Sequence, residues 1–190
     1  MRIKDENKQQ AIFEATVKLV NEIGFVSSSV SKIAKEAQVS PATIYIYYKN
    51  KEDLLVSTYI YIKRELGCAL LEGFDDTLPI RDVLKKIWHN MFKYIRNNPS
   101  YFNFTEQFSN SPYGEMVNQD EVQKSFEPVM KILQNGVERK IIKDVNFDLL
   151  TAFIFYPILT LSNARLCKNI KVGESTIEEA FEMAWDAIRL

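Results

Sequence analysis

The chain has 190 residues, 46% hydrophobic and 26% charged, with a net charge of −1. That is the balance of a globular protein, not of a disordered or fibrous one. No stretch reaches the roughly 18 uncharged apolar residues of a membrane span, and the opening MRIKDENKQQ lacks the apolar run of a signal peptide, so a cytoplasmic protein without membrane contact is expected.

The length lies above the single-domain mode of about 100–150 residues, which suits one small unit joined to a larger one. Charge is unevenly spread. Residues 1–64 hold ten Lys/Arg against seven Asp/Glu, whereas residues 65–190 hold fourteen against eighteen. A basic front and an acidic rear suggest that only the front meets a polyanion. Cys68 and Cys167 form no CxxC pair and read as two buried small hydrophobes in a reducing compartment.

Nearly every segment repeats at the helical period, and no alternating strand pattern stands out. From Asn7 to Ile23, Ile12, Ala15, Leu19 and Ile23 share a face, and Gly24 supplies a stop. Ser27, Ser28 and Ser29 are cap formers ahead of a short helix from Val30 to Ala37. Ser40 caps a third helix, with Pro41 in its first position and an end near Tyr48. A fourth helix runs from Lys51 through Leu66. Behind Gly73 the apolar stripe of Ile80, Val83, Leu84, Ile87, Trp88, Met91 and Ile95 predicts a longer helix, closed by Asn97-Asn98-Pro99. A helix over 119–140 is expected to bend or split at Pro128. Phe147 to Leu166 is apolar almost all round, which predicts burial on more than one side, with a kink at Pro157. The last predicted helix covers Thr176–Leu190.

Two short helices behind a first one suit DNA reading, because one braces on the backbone while the other enters a major groove about 12 Å wide. Ile33, Ala34, Val39, Ile44 and Tyr48 fall on the inner faces. Ser40, Pro41, Ala42, Thr43, Tyr45, Ile46 and Tyr47 are left on or near the outer surface of the second helix.

The run Gly24-Phe25-x-x-Ser28-Ser29-Val30-x-x-Ile33-Ala34-x-x-Ala37-x-Val39-Ser40-x-Ala42-Thr43-Ile44-Tyr45-x-Tyr47-Tyr48-x-Asn50-Lys51-Glu52-x-Leu54 resembles the TetR/AcrR regulators over about residues 6–66. Ala42 and Gln38 stand where that family most often has Gly, and Tyr47 where it often has His. The resemblance implies an all-α fold. A three-helix DNA-binding bundle (residues 6–66, helix-turn-helix 29–48) would be linked by the fourth helix to a larger domain for effector binding and dimerisation (67–190). It also implies that Ser29, Ser31 and Lys51 hold phosphates, and that Thr43, Tyr45 and Tyr47 face the groove and its rim. The third helix contains no Arg, Lys, Asn or Gln. Readout is therefore expected to rest on thymine methyls met by Pro41, Ala42 and Ile46, on the Thr43 hydroxyl, and on DNA shape.

Between Trp88 and Phe108 there are seven aromatics in 21 residues. Aromatics at helical spacing form cores more commonly than pockets. Similar regulators sense small effectors in this half, which makes Trp88, Met91, Phe92, Phe104, Phe108, Phe126 and Met130 candidates for lining a hydrophobic pocket. His89, the sole histidine, reads as a surface or satisfied polar group. Resemblance further implies a homodimer on a palindromic operator, joined through the helices at 147–166 and 176–190 and released by a small effector. No cofactor or metal is expected. An enzyme lacks its usual parts, since there is no GxSxG, HExxH or glycine-rich phosphate loop. A relative that has lost DNA binding and acts through a protein partner is the alternative.

Overall fold

A computed structural model describes residues 5–75, 77–163 and 166–190. Among them lie nine α-helices, one short 3₁₀ turn at Pro112–Met116 and a single isolated antiparallel bridge between Ile142 and Arg189. The helices are α1 (Glu6–Ser27), α2 (Val30–Glu36), α3 (Pro41–Tyr47), α4 (Lys51–Leu70) and α5 (Ile80–Asn97), then α6 (Pro99–Ser109), α7 (Gln119–Glu138), α8 (Phe147–Ser162) and α9 (Glu174–Ile188). They form two compact units. The first takes the chain through Arg64 and adds Asn98–Val122; the second holds Glu65–Asn97 and Gln123–Leu190. The sequence-based boundary at 66/67 was a single cut, whereas these units interleave along the chain.

In the first unit the Asp5 carboxylate caps α1 by accepting from the backbone N–H groups of Asn7 and Lys8. Gly24 interrupts α1 where the stop was expected: its backbone leaves the helical conformation, with φ 75° and ψ 169°, and one further turn beyond this kink reaches Ser27. Asn50 and Asp53 form a reciprocal cap on α4: Asn50 Oδ1 accepts from Asp53 N, and Asp53 Oδ2 accepts from Lys49 N, both at 2.7 Å. Ile12, Ile33, Ile44 and Leu54, one from each of the first four helices, are at most 1% exposed and make one core.

The segment after Asn98 corrects the sequence-based expectation of a stop. Pro99 occupies the first position of α6, where its missing N–H leaves no bond unmade. This helix packs on α1. It carries Phe104 and Phe108 into a second core with Phe13, Val17, Val20, Leu55 and Ile62.

In the second unit α5, α8 and α9 pack on one another, with the α5 stripe from Ile80 to Ile95 buried as expected. Pro128 does not split α7, which continues from Gln119 to Glu138. Both Pro128 and Lys124 are exposed, so the Lys124 carbonyl deprived of a helical partner is solvated. Gly67 of α4 lies so close to α7 that a Cβ there would collide with the Ser125 carbonyl oxygen. Helix α8 ends at Ser162 with Asn163 as its cap, short of the expected Leu166; residues 164–165 of that expected span lie outside the described residues. Among the described residues, only one side of α8 is buried, through Leu150, Ile154 and Ile158. Leu149, Phe153 and Tyr156 are 48%, 52% and 59% exposed.

Candidate nucleic-acid interface

The outer face of α3 is assembled by its caps and its core contacts. Ser40 Oγ accepts from Thr43 N at 3.1 Å and lies 2.9 Å from Thr43 Oγ1, so the two hydroxyls share a hydrogen bond at the N-terminus of α3. Pro41 follows in the first turn. Ile44 and Tyr48 anchor the inner face at 1% and 8% exposure. That rotation leaves Ser40, Pro41, Ala42, Tyr45 and Ile46 exposed, with Thr43 half-buried at the edge. Burial pushes the Tyr48 phenol above its usual range, so it stays a neutral core group.

The turn before α3 closes through Val39 N donating to Ala34 O at 2.9 Å. Gln38 takes the left-handed conformation there, with φ 56°. Ala34 is 1% exposed, which leaves no room for a larger side chain at the α2–α3 crossing. Ser29 Oγ caps α2 by accepting from Lys32 N, and both Ser29 and Ser31 are exposed. The ammonium of Lys32 reaches the Ser27 carbonyl, while Lys35 and Lys49 are exposed on the same unit.

Two expected contact residues are engaged inside the protein. The half-buried Tyr47 hydroxyl binds the backbone of Asp5, and Lys51 Nζ donates to the Phe25 carbonyl at 2.5 Å. Lys51 keeps further capacity, since an ammonium has two more protons to offer. Nothing local in the sequence signals either contact, because the partners lie 42 and 26 positions away.

The candidate effector residues divide between the units. Phe104 and Phe108, both fully buried, belong to the first, where Phe25 meets their rings at 5.8 and 6.0 Å. The others lie in the second unit, with Trp88 and Met91 buried and Phe92, Phe126 and Met130 half-buried. Trp88 packs edge-on against Phe181 at 5.7 Å, and its indole N–H is buried without a hydrogen-bond partner among the described residues. His89 lies on the surface, 3.3 Å from Glu178.

Residues 12–58 match the family model described as bacterial regulatory proteins, tetR family, and residues 79–189 match tetracyclin repressor-like, C-terminal domain. The chain belongs to the TetR family. A TetR family transcription regulator from Marinobacter aquaeolei VT8 superposes with a TM-score of 0.89 at 37% identity, covering 100% of this chain and 99% of that one. FadR from Bacillus subtilis in complex with stearoyl-CoA superposes at 0.78 with 24% identity, covering 95% and 99%. The fatty acid metabolism regulator protein of B. subtilis is 50% identical over 79 residues, 42% of this chain and 39% of that protein. As a TetR-family protein the chain is a helix-turn-helix transcriptional regulator and not an enzyme. No helix among the described residues is long and apolar enough to cross a membrane.

Proposed function

We propose that this TetR-family regulator is a repressor that binds a palindromic operator as a homodimer and is released by a small hydrophobic effector. The observation that carries it is the apolar stripe on α8. Leu149, Phe153 and Tyr156 stand three and four residues apart on one exposed face, and Met183 of the adjoining α9 is 74% exposed. A contiguous apolar patch of this kind on a lone chain marks a partner surface. Pairing two copies about a two-fold axis through α8 and α9 sets two reading helices one DNA turn apart, about 34–36 Å.

On the DNA, Ser29, Ser31 and Lys51 hold phosphates, while Pro41, Ala42, Tyr45 and Ile46 meet base edges beside the Thr43 and Ser40 hydroxyls. Tyr47 sits at the rim. Helix N-termini and hydroxyls fix position without reading sequence, and the lysines add a salt-dependent attraction. The second unit supplies the effector site, with Trp88, Met91, Phe92, Phe126 and Met130 as candidates. The stearoyl-CoA bound by B. subtilis FadR supports a long-chain acyl group as the first effector to try. Release follows when the effector prefers the state in which the reading helices are mis-spaced.

The test is a gel shift on the gene's own upstream region, run at two salt concentrations and with added stearoyl-CoA. A salt-sensitive complex that dissolves on adding the thioester supports the proposal. The absence of any shift would instead favour a regulator acting through a protein partner.

A further inference from the structure

The first unit carries an open groove of about 660 Å³ between α1, the end of α3 and the front of α4. Its volume falls in the range of about 300–1,000 Å³ typical of small-molecule sites. Two features of its lining decide what it would hold. The first is aromatic and thioether surface: Tyr61 is 40% exposed, its ring meets Phe13 edge-on at 4.6 Å, and Met116 is 55% exposed at the rim. The second is sign. Among the described residues, Glu6, Asp53 and Glu121 line the groove against one cation, Arg64, which is itself paired with Glu121. Phenol faces together with excess carboxylate attract a cation with an apolar body and repel phosphates and carboxylates.

We propose that this groove is a second ligand site, distinct from the effector region of the second unit, and that it takes a small organic cation of the quaternary ammonium type. The cation's apolar part lies along Phe13, Tyr61 and Met116, and its charge points along the groove to the end where Glu6 and Asp53 stand, about two helical turns from Tyr61. Tyr48, the residue that follows and caps the reading helix, lines one end. An occupant of this groove therefore rests directly against the helix-turn-helix.

The experiment titrates the full-length protein with benzyltrimethylammonium chloride, and separately with sodium phenylacetate, by calorimetry and by amide NMR. Expected is saturable binding of the cation with shifts at Phe13, Tyr48 and Tyr61, and none with phenylacetate. Glu6→Gln and Tyr61→Leu, both at exposed positions, each weaken the cation by about threefold or more, with melting curves verifying that the variants fold. Equal binding of phenylacetate, no saturable cation binding, or an affinity unchanged in both variants would overturn the proposal.

Discussion

The Tyr47 hydroxyl holds both backbone groups of Asp5, accepting its N–H at 2.9 Å and donating to its carbonyl at 3.1 Å. The end of the reading helix is thereby tied to the start of α1. Tyr47→Phe removes both bonds and keeps the ring. Stability is expected to fall by about 1 kcal/mol, read as a melting point lower by roughly 2–4 °C, with operator affinity reduced in parallel. A loss of affinity with an unchanged melting point would assign the hydroxyl to DNA rather than to this brace.

Gln38 occupies a left-handed conformation that costs a side-chain-bearing residue about 1–2 kcal/mol. Glycine adopts it freely but brings more entropy to the unfolded chain. Gln38→Gly is expected to stabilise the protein by about 0.5–1 kcal/mol in urea unfolding, with the slope unchanged. A net loss would mean that the glutamine side chain makes a compensating contact.

Phe153 is 52% exposed on α8, so an aspartate there should cost the lone chain little. In a dimer the same carboxylate would be buried against apolar surface. Phe153→Asp is expected to convert the protein to monomers in sedimentation at micromolar concentration and to weaken operator binding by about tenfold or more. A dimer that survives this change is built on a different face.

Glu178 of α9 accepts a hydrogen bond from Lys85 of α5 at 2.7 Å and lies 3.3 Å from His89. The Lys85 hydrogen bond, followed by its charge and that of His89, holds the Glu178 carboxyl below the usual range. Because the folded value is the lower one, the carboxylate favours folding above the ordinary glutamate range. That contribution disappears as pH falls through the folded value. Glu178→Gln should therefore melt slightly below the parent at pH 7, and the difference should shrink as the carboxylate is protonated in acid, or in high salt.

The helix-turn-helix was legible because its determinants are local. Ser29 and Ser40 stand three residues ahead of the N–H groups they cap, Pro41 opens α3, Ile33 and Ala34 mark the buried face of α2, and Ile44 and Tyr48, four residues apart, mark that of α3. What escaped depends on distance or on partners. Pro99 reads equally as the close of one helix and the opening of the next, and only the packing of Phe104 and Phe108 against α1 decides between them. For the same reason those two rings read as pocket candidates when they are core. The all-round apolar pattern of α8 was visible. Hydrophobicity alone cannot say whether its second side meets the same chain or another molecule, and in this chain that side stays exposed. The Asp5 and Phe25 carbonyl contacts left no trace at all, since any residue supplies a backbone oxygen.

The placement of α6 also bears on how the DNA-reading half can be isolated. A fragment stopped after residue 66 would discard Phe104 and Phe108, leaving Val17, Val20, Leu55 and Ile62 facing water. Such a fragment should aggregate although it contains every residue of the helix-turn-helix. A miniature reader would need residue 64 spliced to residue 98, bypassing α5 and retaining α6, so that the missing wall of its core is carried along.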